Sequence, residues 1–321
     1  MDRERTRRLD GYELAAAGRL TEAEAWFRVR RLQAPQDQRA LAALSLVFLA
    51  QGRYAEGVEG YELRNLVRAG PAPQVPWPHW RGEDLTGKRL VIFPEQGLGD
   101  AIQFARFAPR LQRSGADVTL LCQPPLARLF STLGVRVVAA AGAAEFPDPD
   151  FWVLSNSLLR CAGPRADDVP GAPYLRGSAK APARGRIGVV GHGNPHHHND
   201  ANRSLPAEAE AELLRLPGAV SLLPEATGAG DLQDTADIIA GLDLVITVDT
   251  AVAHLAGALG KPVWIMLPDH NTDWRWMRGR DDSPWYPSAR LYRQTAPGAW
   301  REVLDRVKRD LAAPGLAAPS D

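Results

Sequence analysis

Asp249 and Thr250 stand where a β-branched run, Leu244-Val245-Ile246-Thr247-Val248, stops and an alanine-rich helical pattern begins. Gly260 and Pro262 end that helix, and Val263–Leu267 reads as the next strand, giving a strand–helix–strand unit. The helix N-terminus then lies at the carboxyl end of a parallel sheet, where open α/β sheets bind ligands. Backbone N–H groups from Thr250 to Val252 point into that crevice without intrahelical partners and suit an anion, above all a diphosphate. Asp249 would repel the phosphate, which places it beside the anion, accepting hydrogen bonds from neutral hydroxyls such as those of a sugar. An ordinary Asp or Thr N-cap satisfies the same spacing.

Two further loops carry candidate chemistry. Gly97-Leu98-Gly99-Asp100 joins a strand to a helix, and its glycines permit a sharp turn and close approach of a ligand. It lacks the third glycine of the dinucleotide fingerprint, and no ribose-binding acid follows, which argues against a nicotinamide-dependent oxidoreductase. Asp100 reads either as a general base at the crevice or as a helix cap. Gly193-Asn194-Pro195-His196-His197-His198-Asn199-Asp200-Ala201-Asn202-Arg203-Ser204 follows another strand, and Arg203 offers a diphosphate its fixed fork of donors. The histidine tract invites a metal reading, but adjacent side chains of an extended loop diverge; no metal is expected. The segment from Pro268 through Trp274, Trp276 and Trp285 to Pro287 is dense in aromatics. It either stacks on a base or sugar ring or is a loop pinned by buried tryptophans.

The elements that must position these residues alternate from Lys88 onward. Strands are expected at Arg89–Phe93, Asp117–Leu121, Val135–Val138 and Phe151–Leu154, with helices from Ile102 to about Arg113 and near Leu126–Leu133. A second series has strands at Arg186–Val190, Ala219–Leu223, Leu244–Val248 and Val263–Leu267, with helices near Ala207–Arg215 and Asp234–Ala240. Two successive βαβ series imply two doubly wound α/β domains facing one another. An amphipathic helix, Trp300–Leu311, is expected to cross back and brace the first of them.

The N-terminal third is helical and repetitive. Leu14–Ala23 returns as Val47–Gly57, with Gly18 and Gly52 separated by 34 positions, the tetratricopeptide period. So few repeats do not support themselves; the block must pack on the rest of the chain or on another subunit, which makes a homo-oligomer an expected partner. Boundaries are drawn at 1–70 for the repeats, 71–86 for a proline-rich linker, 87–180 and 181–299 for the two α/β domains, and 300–321 for the terminal helix and a disordered tail.

Composition narrows the function. The 38 basic and 38 acidic residues among 321 cancel, so nothing points to nucleic acid. Two cysteines without metal-ligand spacing fit a reducing compartment. No secretory signal or membrane span is read, and a cytoplasmic location is expected.

Together, Glu95–Arg106, Gly193-Asn194-Pro195 through Ser204, Val248–Gly260, Asp273–Trp276 and Asp282–Pro287 resemble the bacterial tetratricopeptide-repeat glycosyltransferases. Their catalytic half is related to the lipopolysaccharide heptosyltransferases (glycosyltransferase family 9). The resemblance covers about Gly11 to Leu311, in the right order. It implies a GT-B pair of Rossmann-like domains behind a short all-α repeat region, the first on the acceptor side and the second holding the nucleotide sugar. It implies inverting, metal-independent transfer of a hexosyl or heptosyl group from a nucleotide-diphosphate sugar, which is a substrate; no cofactor is expected. Asp100 maps to the base. Gly97, Gly99, Asn194, Asn199, Arg203, Ser204, Asp249, Thr250, Ala251 and His254 map to the donor site. The repeats would recruit a protein acceptor, flagellin being one example in such proteins. Two places depart from the pattern: Gly191 stands where relatives carry tryptophan, and the stretch from Leu222 to Asp234 is shortened. The alternative is a non-catalytic nucleotide-sugar or protein-binding scaffold of the same fold.

Overall fold

The computed structural model describes residues 9–66, 73–163, 165–171, 173–178 and 186–313. The expected tail after the last helix and the first residues of the linker lie outside them.

Four helices open the described chain: α1 (Gly11–Ala16), α2 (Leu20–Gln33), α3 (Gln38–Ala50) and α4 (Tyr54–Tyr61). Asp10 and Asp37 cap α1 and α3 with their carboxylates, and Glu13 completes a capping box on the first. Leu14, Ala23, Phe27, Leu44 and Val47 form the core of this arm. Gly18 and Gly52 turn each helix pair in the left-handed region, at φ of 70° and 77°, where a side chain would be strained. Both turns also press on one segment far along the chain. A Cβ at Gly18 would meet the Arg278 guanidinium at 2.5 Å, and one at Gly52 the Met277 methyl at 2.6 Å.

The first sheet is parallel, in the order β3-β2-β1-β4, from β1 (Arg89–Phe93), β2 (Asp117–Cys122), β3 (Arg136–Ala139) and β4 (Phe151–Leu154). The linker tryptophans do pin it here. Trp80 is buried, and the Trp80 N–H and Pro78 carbonyl pair with Trp152 of β4. The single helix expected to run to Arg113 is two: α5 (Leu98–Ala105) and α6 (Ala108–Arg113). Pro109 sits in the first turn of α6; it has no N–H, and its ring would clash with the Ala105 carbonyl of a continuous helix. The helix expected near Leu126–Leu133 shrinks to α7 (Ala127–Phe130) between two 3-10 turns.

The second sheet is also parallel, β6-β5-β7-β8-β9, from β5 (Ile187–Val190), β6 (Ala219–Ser221), β7 (Leu244–Val248), β8 (Val263–Leu267) and β9 (Ala289–Arg293). Its helices are α8 (Asp200–Arg203), α9 (Ala207–Leu214), α10 (Pro224–Thr227), α11 (Leu232–Ala240), α12 (Ala251–Ala258) and α13 (Trp300–Ala312). Here α13 corrects an expectation. It does not cross back: Trp300, Val303, Leu304 and Val307 pack on Leu213, Trp264 and Tyr292 of the second domain. That domain's otherwise open face, between α9 and β9, buries the apolar stripe of α13.

Candidate functional site

The two β–α turns after β1 and β7 meet. The first turns of α5 and α12 approach so closely that a Cβ on Gly99 would lie 2.7 Å from His254 Cδ2 and 3.5 Å from Ala251 Cα. A glycine at 99 therefore brings the first domain's loop against the helix N-terminus of the second. Gly97 is the N-cap of α5, and its N–H donates to Asp100 Oδ2 at 3.0 Å. Asp100 thus does cap its helix.

Its other oxygen faces the second domain. Asp100 Oδ1 accepts from Arg275 Nη2 at 2.5 Å, and Arg275 Nη1 donates to Asp273 Oδ1 at 3.0 Å. Arg275 is buried between the rings of Phe104 and Trp274. Burial alone would lower the pKa of this guanidinium, but Asp273 and Asp100 raise it above its ordinary value. A carboxylate has about four acceptor positions, and two on Asp100 are taken. Asp100 therefore caps α5 with one oxygen and pairs with Arg275 through the other, with acceptor positions left over. Arg275 was not among the expected site residues; its signal was a cation set between two tryptophans.

The loop after β5 is held by its own polar groups. Arg203 Nη1 donates to the Asp249 carbonyl at 2.8 Å and Nε to Asp200 at 3.1 Å, which fixes the guanidinium beside the start of α12. Gly193 leaves room for it. Asn194, Asn199 and Ser204 are engaged within the loop and with its neighbours. Asn194 Oδ1 accepts from the His196 N–H, and Ser204 Oγ accepts from the Gly193 N–H. Asn199 is buried, donating to the Asn271 carbonyl and accepting from Asn202. These three build the loop, because its backbone turns leave donors and acceptors that only neighbouring side chains reach. At Gly191 the space a side chain would need is filled by Glu210, which accepts from the Gly191 N–H.

Thr250 is the N-cap of α12, yet its side chain makes no capping bond; its hydroxyl lies 3.2 Å from that of Thr247. The first N–H groups of α12 thus lack the usual side-chain acceptor. His254 is buried, stacked on Trp276 with centroids 5.2 Å apart, and Nδ1 is 3.0 Å from the Tyr286 hydroxyl. Burial and then Arg275 push its pKa down to about 3, so the imidazole is neutral. Its Nε2 lies 3.9 Å from Asp249 Oδ1.

Burial, reinforced by Asp273, raises the Asp249 carboxyl to about 6, against partial relief from Arg203. A raised carboxyl contributes stability that is full below its unfolded pKa and lost as pH rises through about 6. Asp249→Asn is therefore expected to stabilise the free protein at pH 7, by about 3 kcal/mol for a two-unit shift, and to flatten its stability between pH 4 and 6. Chemical denaturation across that range checks it, and an unchanged or lower stability at pH 7 contradicts it.

The aromatic segment is the pinned loop. Trp274, Trp276, Trp285 and Tyr286 are all buried, which leaves no open ring face for stacking on a base. Among the described residues no group of three or more His, Cys, Asp or Glu is placed to hold a metal ion, and no helix is long and apolar enough to cross a membrane.

Comparison with known proteins bears most directly on the second domain. Residues 189–271 match the family described as glycosyltransferase family 9 (heptosyltransferase). The chain is similar to Protein FlbA of Caulobacter vibrioides, 29% identical over 367 residues, which cover 95% of this chain and 60% of that protein's length. Among solved structures it is similar to the bacterial iron-containing dodecameric glycosyltransferase TibC of enterotoxigenic E. coli H10407, at 13% identity, TM-score 0.48, and 72% and 79% coverage of this chain and that one. It is also similar to the family 9 glycosyl transferase of Veillonella parvula DSM 2008, at 13% identity, TM-score 0.44, and 74% and 95% coverage.

Proposed function

We propose that this chain is a cytoplasmic glycosyltransferase with a GT-B architecture, transferring a sugar with inversion from a nucleotide-diphosphate donor held at α12. The observation that carries the reading is the meeting of the Gly97–Asp100 turn with the start of α12, the latter lying within residues 189–271 that match family 9. The first turn of α12 and Arg203 offer the leaving diphosphate backbone donors and a fixed cation. Asp249 accepts from sugar hydroxyls. Asp100 takes the acceptor's proton as the new glycosidic bond forms and the bond to the diphosphate breaks. The four N-terminal helices are tetratricopeptide-type units that engage a protein acceptor. Incubation with a panel of nucleotide sugars, with release of free nucleotide as the readout, tests this: one donor should be consumed only when an acceptor is present. No release from any donor, with or without acceptor, would favour the non-catalytic scaffold.

Because Arg203 and the helix start offset charge at the leaving group, transfer is expected to survive EDTA unchanged. Loss of transfer in EDTA, restored by a divalent cation, would contradict the role given to Arg203.

A further inference from the structure

The helical arm reaches the Gly97–Asp100 turn at both of its ends. Arg64 follows α4 in a 3-10 turn and is buried. Its Nε and Nη2 donate to the two carboxylate oxygens of Glu95 at 2.8 and 2.5 Å, Nη2 also to Ser157 Oγ at 2.9 Å, and Nη1 to the Tyr61 carbonyl at 3.1 Å. A two-pronged pair of this kind fixes orientation as well as distance. Glu95 is the residue before Gln96, which sits in the left-handed region at φ 61°. A non-glycine residue there is strained and persists only where its surroundings hold it.

At the far end of the turn the arm acts through rings. Tyr61 packs edge-on against Trp274, with centroids 5.6 Å apart. The Arg275 guanidinium lies 4.8 Å over the same indole and pairs with Asp100. Tyr54 adds a hydrogen bond from Trp285 Nε1 to its hydroxyl, at 2.9 Å. One segment of the arm, Tyr54 to Arg64, thus braces the residue that opens the turn and the cation that fastens its carboxylate. An arm that only recruited acceptor would need neither contact.

We propose that Arg64 and Tyr61 are positioning residues for Asp100, which makes the arm part of the active centre in addition to any recruiting surface. This rests on the glycosyltransferase reading for its kinetic consequence, but its mechanical half stands alone.

The test uses the full chain. Arg64→Lys keeps the charge and loses the fork. It is expected to melt cooperatively, to bind nucleotide diphosphate as the unaltered chain does, and to keep its KM for donor within about twofold. Its kcat should fall about tenfold or more, since misplacement by an ångström suffices for that, and amide exchange of a peptide spanning 94–101 should quicken by a similar factor. Arg301→Ala, which breaks an exposed pair with Glu212 outside the arm, should change neither. Should Arg64→Lys fail to fold, Glu95→Gln is read the same way. Unchanged exchange at 94–101 in the folded variant overturns the proposal. Faster exchange with an unchanged kcat overturns the positioning role. If the unaltered chain transfers no sugar at all, the functional reading fails, and the exchange measurement alone decides whether the arm braces the turn.

Discussion

Asp100→Asn is expected to lower turnover by about 10²–10⁴-fold, the usual share of a general base, while donor affinity stays nearly constant. The substitution keeps size but removes the basic oxygen and leaves one acceptor where the carboxylate offered two, so the Gly97 N–H or the Arg275 guanidinium loses its partner. It has a second consequence that a simple cap would not have. Arg275 is buried and leans on two carboxylates, Asp100 and Asp273. Breaking a buried pair costs about 3–5 kcal/mol when the remaining charge is orphaned; with Asp273 in place, about 1–3 kcal/mol is expected. A residue that only caps predicts neither change, because Asn caps as well as Asp. Single-turnover transfer and denaturant melts on one purified variant separate the cases. Full turnover at reduced stability would leave Asp100 as a structural partner of Arg275 and move the base elsewhere.

Deleting residues 1–70 is expected to unfold the chain, abolishing transfer and donor binding together. From the repeats alone one expects the loss of the arm to spare nucleotide binding if the remainder stays folded. The contacts argue against that condition. Leu49, Tyr54 and Tyr61 are buried in the same apolar core as Ile102, Trp274 and Leu255. Truncating a buried aromatic costs about 3–5 kcal/mol, and a domain's whole stability is about 5–15 kcal/mol. Losing two such rings together with Arg64 is comparable to that whole stability. Circular dichroism of the truncated chain checks this. A cooperative melt at the temperature of the full chain would show the arm to be independent, contrary to the contacts described here.

Much of the architecture was legible because its signals are local. β1, β7 and β8 lie where apolar runs end at Pro or Asp, and β4 where one follows Asp150, since buried parallel strands need apolar residues on both faces. β9 was missed because Ala289-Arg290-Leu291-Tyr292-Arg293 carries two arginines and reads as loop; it is an edge strand with one face toward water. Asp100, Arg203, Asp249 and Thr250 were legible from loops that follow strands, and His254 through the resemblance; the structure brings Gly99 beside His254, and Arg203 beside the start of α12. Arg64, Arg275 and Tyr286 were not legible, because their roles arise from partners far away in the chain, Glu95, Asp100 and His254. Asn194, Asn199 and Ser204 show a use the sequence did not disclose: they bond within their own loop and to its neighbours. Polar residues in a motif read as ligand contacts, whereas a tightly turned loop must first satisfy its own backbone.

The central question is whether the start of α12 binds a nucleotide diphosphate and whether Arg203 holds it. Isothermal titration of the full chain with nucleotide diphosphates and their sugars, repeated on Arg203→Ala, measures both. The expected result is saturable binding of one nucleotide family by the unaltered chain, weakened in the variant by about 2–3 kcal/mol, the loss of a charge-assisted contact. That corresponds to roughly 30- to 150-fold in affinity. No heat from any nucleotide, or equal affinity in the folded variant, would contradict it.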